Sequence, residues 1–346
     1  MKVIRPIAST DYQALHSFAV ESGIGFTSLP VNEALLRSKI ERSEHAFDKQ
    51  VDQPGNEGYL FVMEDIETGE VVGTSGIEAT VGLDDAFYHY HLGKVVHASR
   101  ELKVHNTVDI LTLCNDYTGV SEICTLFLRE SARKGSNGRL LSKFRFLFMM
   151  EHQTRFAETV IAEMRGVSDD NGQSPFWQWL EEHFFSMDFP TADYLTGIGD
   201  KVFIAELMPK YPIYVSLLSK AAQAVIGKVH EKTQPALKLL QQEGFSCQGY
   251  VDIFDAGPTV EANLQHIRTA QASRKMQVVI DDKKAEEAPL YYVINTHIKQ
   301  FRAKTTALAV DKEQQVAYLS QKCAQALLVE NGDSIRFAPT RLDCSS

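Results

Sequence analysis

The stretch that decides the fold is Glu122-Ile-Cys-Thr-Leu-Phe-Leu128, followed by Arg133-Lys-Gly-Ser-Asn-Gly138 and Arg139-Leu-Leu-Ser-Lys-Phe-Arg-Phe-Leu-Phe-Met-Met150. The first part predicts a buried strand and the second a turn of small residues. The third predicts a helix, because its leucines and phenylalanines recur at helical spacing. A helix that begins at such a turn presents unpaired N–H groups and the positive end of its dipole, both of which suit phosphate. The stretch therefore predicts an anion site that would fit a pyrophosphate.

The turn lacks the Gly-Lys-Ser/Thr of a Walker loop and the G-x-G-x-x-G spacing of a Rossmann fold. It resembles the coenzyme A loop of the GNAT acyltransferases, Arg/Gln-x-x-Gly-x-Gly/Ala, which follows the fourth strand of that fold. Arg133 and Gly138 match the pattern, while Ser136 stands where the first glycine is expected. The resemblance implies that Arg133, Ser136 and Gly138 bind the coenzyme. A strand-to-helix turn without a ligand is the alternative.

Neighbouring segments agree with a GNAT-like fold. Residues 3–7 predict an edge strand, and residues 59–64 and 71–81 predict a hairpin around a glycine turn. Further along, a helix over 235–242 is followed by a strand over 249–254. We therefore expect an α/β (α+β) fold with a mixed, mostly antiparallel sheet and flanking helices.

The chain of 346 residues exceeds the roughly 250 to 300 at which single cores stop growing. Breaks in periodicity divide it into an acyl-CoA-binding lobe over 1–165 and a second, mostly helical lobe over 166–280 that closes the active site. The charged residues 281–288 predict a linker. Short β-like runs over 289–346 predict a small β-rich C-terminal region.

Composition narrows the function classes. The formal net charge of −10 argues against a nucleic-acid surface and is compatible with a cationic substrate. No apolar run of about 18 residues and no secretory signal occurs, so we expect a cytoplasmic protein without a membrane span. Five cysteines without a C-x-x-C pair suggest neither a disulfide framework nor a zinc site. Cys124 is expected to be a core residue rather than a nucleophile.

Longer words resemble the arginine N-succinyltransferase family over residues 1 to about 275. Examples are Cys124-Thr-Leu-Phe-Leu128, Ala162-Glu-Met-Arg-Gly166, Ser174-Pro-Phe-Trp-Gln178, Phe203-Ile-Ala-Glu-Leu-Met-Pro209 and Asp252-Ile-Phe-Asp-Ala-Gly-Pro258. The resemblance implies transfer of the succinyl group of succinyl-CoA to the α-amino group of L-arginine in arginine catabolism. It implies succinyl-CoA as a co-substrate and no permanently bound cofactor.

The same resemblance implies roles for two residues. Leu126 occupies a position assigned to succinyl-CoA, and His230 aligns with the family's proton donor. A histidine suits that role because its unperturbed pKa of about 6.5 lets it exchange a proton near neutral pH. His89, His91 and His97 would be the alternative, as metal ligands, but H-x-H without a matching Cys or carboxylate pattern is a weak signal. No metal site is expected.

Arginine as acceptor demands carboxylates for its planar guanidinium. Candidates in matched words are Glu163, Asp188, Asp252 and Asp255. Capping a helix or pairing with a local Arg or Lys is the alternative for each of them. The succinyl carboxylate needs a cation or amides, for which the candidates are Arg133, Lys134, Arg139 and Arg165.

Three functions stay open at this point. The first is succinyl transfer to arginine, and the second is a GNAT acylation with another donor or another amine such as ornithine. The third is a non-catalytic subunit, because this enzyme type can assemble from two related chains. We expect a homo-oligomer, or a hetero-oligomer with a related subunit.

Overall fold

The computed structural model describes residues 1–23, 28–169, 172–197, 199 and 202–341, with the side chain of residue 193 excepted. Its main feature is one sheet in which sixteen described strands are hydrogen-bonded in series. The strands are β1 Lys2–Pro6, β2 Gly58–Asp65, β3 Glu70–Glu78, β4 His89–Ser99, β5 Val104–Cys114, β6 Ser121–Leu128, β7 Thr159–Glu163, β8 Ile213–Tyr214, β9 Ser246–Val251, β10 Pro258–Asn263, β11 Arg274–Ile280, β12 Leu290–Asn295, β13 Ala303–Ala307, β14 Ala309–Asp311, β15 Val316–Leu319 and β16 Ser334–Pro339.

Eleven α-helices of the described residues flank this sheet. They are α1 Tyr12–Ser22, α2 Glu33–Asp48, α3 Asn137–Glu151, α4 Pro175–Leu180, α5 Phe189–Gly197, α6 Val202–Leu207, α7 Lys220–Val225, α8 Gln234–Glu243, α9 Arg268–Ala272, α10 Asp282–Ala285 and α11 Gln321–Leu327. The strand order is β14-β15-β11-β16-β12-β13-β1-β2-β3-β6-β7-β10-β9-β4-β5-β8. Among the described strands, only the pairs β6–β7 and β11–β15 are parallel. The expected mixed, mostly antiparallel sheet with flanking helices is confirmed.

The central strands are buried on both faces. Along β2, Tyr59 and Phe61 belong to the core beneath α3, whereas Leu60 and Val62 belong to the core beneath α1 and α2. Successive side chains of a strand point to opposite faces, so the two cores lie on the two sides of the sheet. The predicted hairpin is present, since β2 pairs antiparallel with β3 over its whole length.

Strands β6 and β7 are parallel neighbours at the centre of the sheet, and they pair with each other only at one end. β6 pairs with β7 at Ser121↔Val160 and Glu122↔Ile161, and the two strands do not pair with each other anywhere else. Beyond Glu122, β6 continues along β3 as far as Leu128, while β7 continues along β10. The strands therefore diverge, and the gap between them is where the site forms.

Two segments differ from the sequence-based expectation. The N-terminal strand β1 is not an edge strand, because β13 pairs with it at Ile4↔Ala303 on the side opposite β2. Before α7, residues 213–217 form β8 and a 3-10 turn rather than a helix. The three-part division of the chain stays a prediction, and within the expected linker residues Asp282–Ala285 form α10.

Candidate active site

A cavity of about 300 Å³ occupies the gap between the diverging strands. β6 forms one wall and the end of β7 another, and α3, α8 and the loop after β9 complete it. The charged and polar residues of the lining decide what it can bind. They are Ser22, Ser28, Glu122, Thr125, Ser142, Arg145, Glu163, Arg165, Lys232, Thr233, Asp252 and Asp255.

The β6 wall contains a β-bulge. Thr74 and Gly76 of β3 pair with Phe127 and Cys124, so Thr125 and Leu126 together stand opposite one residue. Thr125 has a φ of 54°, in the left-handed region that a β-branched residue rarely adopts. Such strain persists only where the surroundings impose it, and bulges recur beside active sites. The sequence analysis assigned Leu126 to the donor, and the structure places it in the cavity wall.

Three of the four candidate carboxylates meet at the opposite wall. Glu163 ends β7, while Asp252 and Asp255 lie in the loop between β9 and β10, and all three line the cavity. Burial, and then the charges of Asp255 and Glu163, raise the pKa of the Asp252 carboxyl well above its ordinary range. Grouped carboxylates that line a cavity suit a cationic ligand, whose charge would favour their ionised forms.

Backbone N–H groups fix the two aspartates. Asp252 Oδ1 accepts from Phe254 N at 2.7 Å and from Asp255 N at 2.9 Å. Asp255 Oδ2 accepts from Gly166 N at 2.6 Å, and its Oδ1 accepts from Gly257 N at 2.8 Å. The two glycines are required by close approach, because a Cβ at Gly166 would collide with the Asp255 carboxylate, and one at Gly257 with the Met164 carbonyl.

Glu163 also lies beside a buried histidine. Its Oε1 is 2.9 Å from His89 Nε2, although the ring N–H is not directed at the oxygen and makes no hydrogen bond to it. His91 and His97 contact the rings of Tyr250 and Tyr214 instead. In the described part of the chain, no three His, Cys, Asp or Glu side chains are grouped to hold a metal ion.

Two arginines add positive charge to the lining. Arg165 follows β7, and its Nη2 donates to Ser168 Oγ at 2.9 Å, while its buried Nε has no hydrogen-bond partner. Arg145 lies on α3 and is only 2% exposed. Burial lowers the pKa of the Arg145 guanidinium to about 10, so it stays charged at neutral pH. The sequence analysis considered Arg165 and missed Arg145, for which the available signal was a charge directly between Phe144 and Phe146 in α3.

His230 lies next to the cavity without lining it. Its backbone N–H donates to the Arg165 carbonyl at 2.9 Å, and Lys232 and Thr233, which follow it, do line the cavity. The ring is largely buried, and its Nδ1 accepts from Lys232 N at 3.1 Å. With Nδ1 as acceptor, the neutral ring holds its proton on Nε2.

The predicted coenzyme loop lies past the far end of β6. Arg133 Nε donates to the Leu128 carbonyl at 3.0 Å, and Ser136 Oγ donates to Thr305 Oγ1 at 3.2 Å. Ser136 is the N-cap residue of α3, and Gly138 lies in the first turn, where backbone N–H groups lack intrahelical acceptors. Arg145 follows the start of this helix by eight residues, about 12 Å at 1.5 Å per residue. The loop and the cavity are thus joined by one helix.

Asp188 is the candidate carboxylate that the structure does not bring to the cavity. It is exposed and precedes α5, where its Oδ1 accepts from Thr191 N at 2.9 Å. Hydrogen bonds from Thr191 lower the pKa of this carboxyl. Asp188 therefore caps a helix, which was the alternative role considered for it from the sequence. The adjacent Phe189 does line the cavity.

A mixed sheet whose parallel central strands diverge over a charged cavity, with a helix starting beyond the first of them, places this chain among the acyltransferases. Residues 2–269 match the family model for the arginine N-succinyltransferase beta subunit, and residues 274–339 match the model for its C-terminal domain. The chain belongs to the arginine N-succinyltransferase family.

Individual relatives cover nearly the whole chain. An arginine N-succinyltransferase of Yersinia pestis is 47% identical over 98% of this chain and 99% of the relative. One from Salmonella schwarzengrund is 48% identical over 97% of each. The solved structure of subunit AI of arginine/ornithine succinyltransferase from Pseudomonas aeruginosa superposes with a TM-score of 0.90, at 37% identity and 99% coverage of both chains. Among the described residues, none of the helices combines the length and apolar character needed to cross a membrane.

Proposed function

We propose that the protein transfers the succinyl group of succinyl-CoA to the α-amino group of L-arginine, giving N2-succinyl-L-arginine and coenzyme A. The observation that carries this proposal is the cavity between β6 and β7. One of its walls holds three carboxylates, and the opposite wall holds the bulge of β6 and a buried arginine. Succinyl-CoA binds and leaves as a co-substrate, and no permanently bound cofactor takes part.

The donor lies along β6 and the start of α3. Its pyrophosphate binds at the first turn of α3, near Arg133, Ser136 and Gly138, where the positive end of the helix dipole favours an anion. The pantetheine arm then runs toward the cavity, and the thioester lies beside Leu126. Backbone N–H groups at the bulge of β6 stabilise the oxyanion that forms when the amine attacks.

The acceptor lies against the carboxylates. Glu163 and Asp255, with Asp252 once it is ionised, bind the guanidinium, which needs planar, charge-assisted partners. The backbone bonds to Asp252 and Asp255 hold these carboxylates in place before arginine arrives, so little ordering is needed on binding. Asp188 has no part in this proposal.

The reaction needs no covalent intermediate, because a thioester is activated enough for direct attack by a neutral amine. The amine nitrogen forms the new amide bond and loses a proton, the carbon–sulfur bond breaks, and the coenzyme thiolate takes a proton. We assign that last step to His230, acting through Nε2 or through a relay to it, since Nδ1 already accepts from Lys232 N.

Ornithine is a second candidate acceptor. The Pseudomonas aeruginosa relative is described as a subunit of an arginine/ornithine succinyltransferase, at 37% identity to this chain. An oligomer, either of this chain alone or with a related subunit, belongs to the same proposal. A carboxylate-lined cavity would accept the ornithine ammonium as well as a guanidinium. A preference for arginine over ornithine therefore depends on bidentate hydrogen bonds to the planar guanidinium.

An assay of the purified chain, tested alone, separates these functions. Succinyl-CoA and acetyl-CoA are each paired with L-arginine, L-ornithine and the uncharged analogue L-citrulline, and kcat/KM is measured for each pair. We expect succinyl-CoA with arginine to be the most efficient pair and citrulline to be a poor acceptor. Equal efficiency with acetyl-CoA would contradict the donor, and equal efficiency with citrulline would contradict a pocket that recognises charge. A folded chain without turnover would indicate a non-catalytic subunit.

A further inference from the structure

We infer that Arg145 binds the free carboxylate of the succinyl group and so makes the enzyme selective for a dicarboxylic acyl donor. This inference rests on the proposed function, to which it adds the residue that distinguishes succinyl-CoA from uncharged acyl-CoA thioesters. Arg145 is the guanidinium that α3 presents to the β6 side of the cavity.

The first argument is that Arg145 is buried without a counter-charge. Its Nε donates to the Ser142 carbonyl at 3.1 Å, its Nη1 to the Cys124 carbonyl at 3.3 Å, and its Nη2 to Ser142 Oγ at 3.4 Å. All three acceptors are neutral, and no carboxylate of the described residues lies within ion-pair distance of it. A buried, unpaired charge is costly, and proteins seldom keep one unless a ligand pairs with it.

The second argument concerns hydrogen-bonding capacity. A guanidinium has five N–H groups, and three of those of Arg145 are used by the acceptors above. Two are left for a ligand on a side chain that lines the cavity. A carboxylate is the anion whose geometry matches paired N–H groups of this kind.

The third argument is position relative to the reacting bond. The bond from Arg145 to the Cys124 carbonyl ties the guanidinium to β6, next to the bulge at Thr125 and Leu126. The thioester lies at this bulge in the proposed function, and two methylene groups separate its carbonyl from the succinyl carboxylate. The carboxylates that suit the acceptor lie on the other wall, at the end of β7 and after β9. Donor anion and acceptor cation are thereby assigned to opposite walls.

Arg165 is the competing residue, since it also lines the cavity and has a buried Nε without a partner. Its backbone, however, adjoins Gly166, which Asp255 holds, so it belongs to the wall of the acceptor carboxylates. We therefore expect Arg165 to affect the acceptor and Arg145 to affect the choice of donor.

The test compares Arg145→Met with Arg165→Met, using succinyl-CoA and butyryl-CoA as donors and arginine as acceptor. Butyryl-CoA has the same four-carbon acyl chain without the carboxylate. In Arg145→Met we expect kcat/KM for succinyl-CoA to fall about 10²- to 10³-fold, while kcat/KM for butyryl-CoA stays level or rises, because charge-assisted bonds are lost only with the charged donor. Arg165→Met should keep the parent ratio between the two donors.

Each outcome decides between distinct statements. If the parent enzyme does not use succinyl-CoA, the proposed function fails. If the parent prefers succinyl-CoA and Arg145→Met keeps that preference, the inference about Arg145 is overturned while the proposed function stands. Should Arg145→Met not fold, Arg145→Lys keeps the charge without the planar fork, and its ratio of succinyl-CoA to butyryl-CoA efficiency should fall about tenfold or more. An unchanged ratio in the lysine variant would also overturn the inference.

Discussion

Asp252 and Asp255 lie in the same loop but use their carboxylates differently. Asp252 accepts two backbone N–H groups with one oxygen, whereas Asp255 uses both oxygens, one for each N–H. Asparagine could therefore replace Asp252 without losing a backbone bond, since its single carbonyl oxygen can accept both. At Asp255 it would turn an NH2 toward a backbone donor.

The first prediction follows for Asp252→Asn. The folded-state pKa of Asp252 is raised, so between the unfolded and the folded pKa the native state binds more protons, and stability falls as pH rises through that interval. An asparagine does not titrate and keeps the stability that the parent loses over this interval, so the asparagine variant should melt at a higher temperature at neutral pH. Its KM for arginine should rise about 10- to 100-fold, because a charge-assisted bond is lost.

Asp255→Asn is the matched control for this substitution. We expect it to lower the free energy of unfolding by about 1–3 kcal/mol, the cost of leaving a buried N–H without its acceptor. Thermal melts of both variants over the acid-to-neutral range provide the measurement. A destabilised Asp252→Asn protein at neutral pH would contradict the prediction and show that the native structure stabilises the charge of Asp252.

The second prediction concerns His230. His230→Asn can keep the acceptor for Lys232 N, because asparagine Oδ1 takes the place of Nδ1, but it removes the ionisable ring. If the ring protonates the thiolate, turnover should fall about 10²- to 10⁴-fold with succinyl-CoA affinity nearly unchanged. Single-turnover kinetics and calorimetry measure the two quantities. Near-parent turnover in folded His230→Asn would leave His230 with a structural role in the turn before α8.

Helix α3 is the element that joins the two halves of the donor site. Its first turn lies at the predicted coenzyme loop, and Ser142 and Arg145, further along, line the cavity. The turn before it needs Gly135, whose φ of 58° is left-handed, but Gly138 is not required by the protein itself. A Cβ at Gly138 would be 3.8 Å from its nearest neighbour, Leu128, which is an ordinary contact.

The third prediction uses that free space. Gly138→Val should fold normally, since the protein has room for the added side chain, yet raise the Kd for succinyl-CoA about tenfold or more by obstructing the approach of the pyrophosphate to the helix N–H groups. Ser136→Gly, which restores the glycine of the GNAT pattern, should change the Kd little. Calorimetric titration of both variants measures the effect. Unchanged affinity in Gly138→Val would place the pyrophosphate elsewhere.

At the scale of the whole molecule, the C-terminal region is part of the central core. Phe301, which is fully buried, packs edge-on against Phe61 and Phe148 and lies tilted against Phe144. The same region pairs β13 with β1 through Ala303 and Ile4. The acyltransferase core on the α3 side is therefore completed by residues from near the end of the chain.

The fourth prediction tests this dependence. Phe301→Ala should lower the free energy of unfolding by about 3–5 kcal/mol, the usual cost of emptying a buried aromatic site. Leu290→Ala, at a half-exposed position of the same region, should change it by less than about 0.5 kcal/mol. Denaturant unfolding monitored by fluorescence and by circular dichroism measures both. Equal effects of the two substitutions would mean that the C-terminal region contributes little to the core.

The sequence by itself determined the elements whose signals are local. The β2–β3 hairpin follows from two β-rich runs around a glycine turn, and α3 after β6 follows from apolar spacing behind a small-residue turn. The sequence also contains segments that resemble the arginine N-succinyltransferase family. These segments include Leu126, Glu163, Asp252 and Asp255. Each of these depends on neighbours in the chain or on matched positions, which a sequence contains.

Only the tertiary structure decided which distant residues meet. The β4–β5 ribbon was missed because most of its residues lack a buried face, and β1 is interior because β13, some 300 residues later, pairs with it. In the sequence, Arg145 is only a charged residue among the apolar residues of α3. The structure shows that it is buried beside β6, where it can face a ligand in the cavity. Asp188 and Asp252 are both aspartates in segments that resemble the family, so the sequence did not distinguish them. Hydrogen bonds from Thr191 lower the pKa of the first, whereas burial and then two neighbouring carboxylates raise the pKa of the second, because hydrogen bonding, desolvation and Coulomb energy depend on position in space.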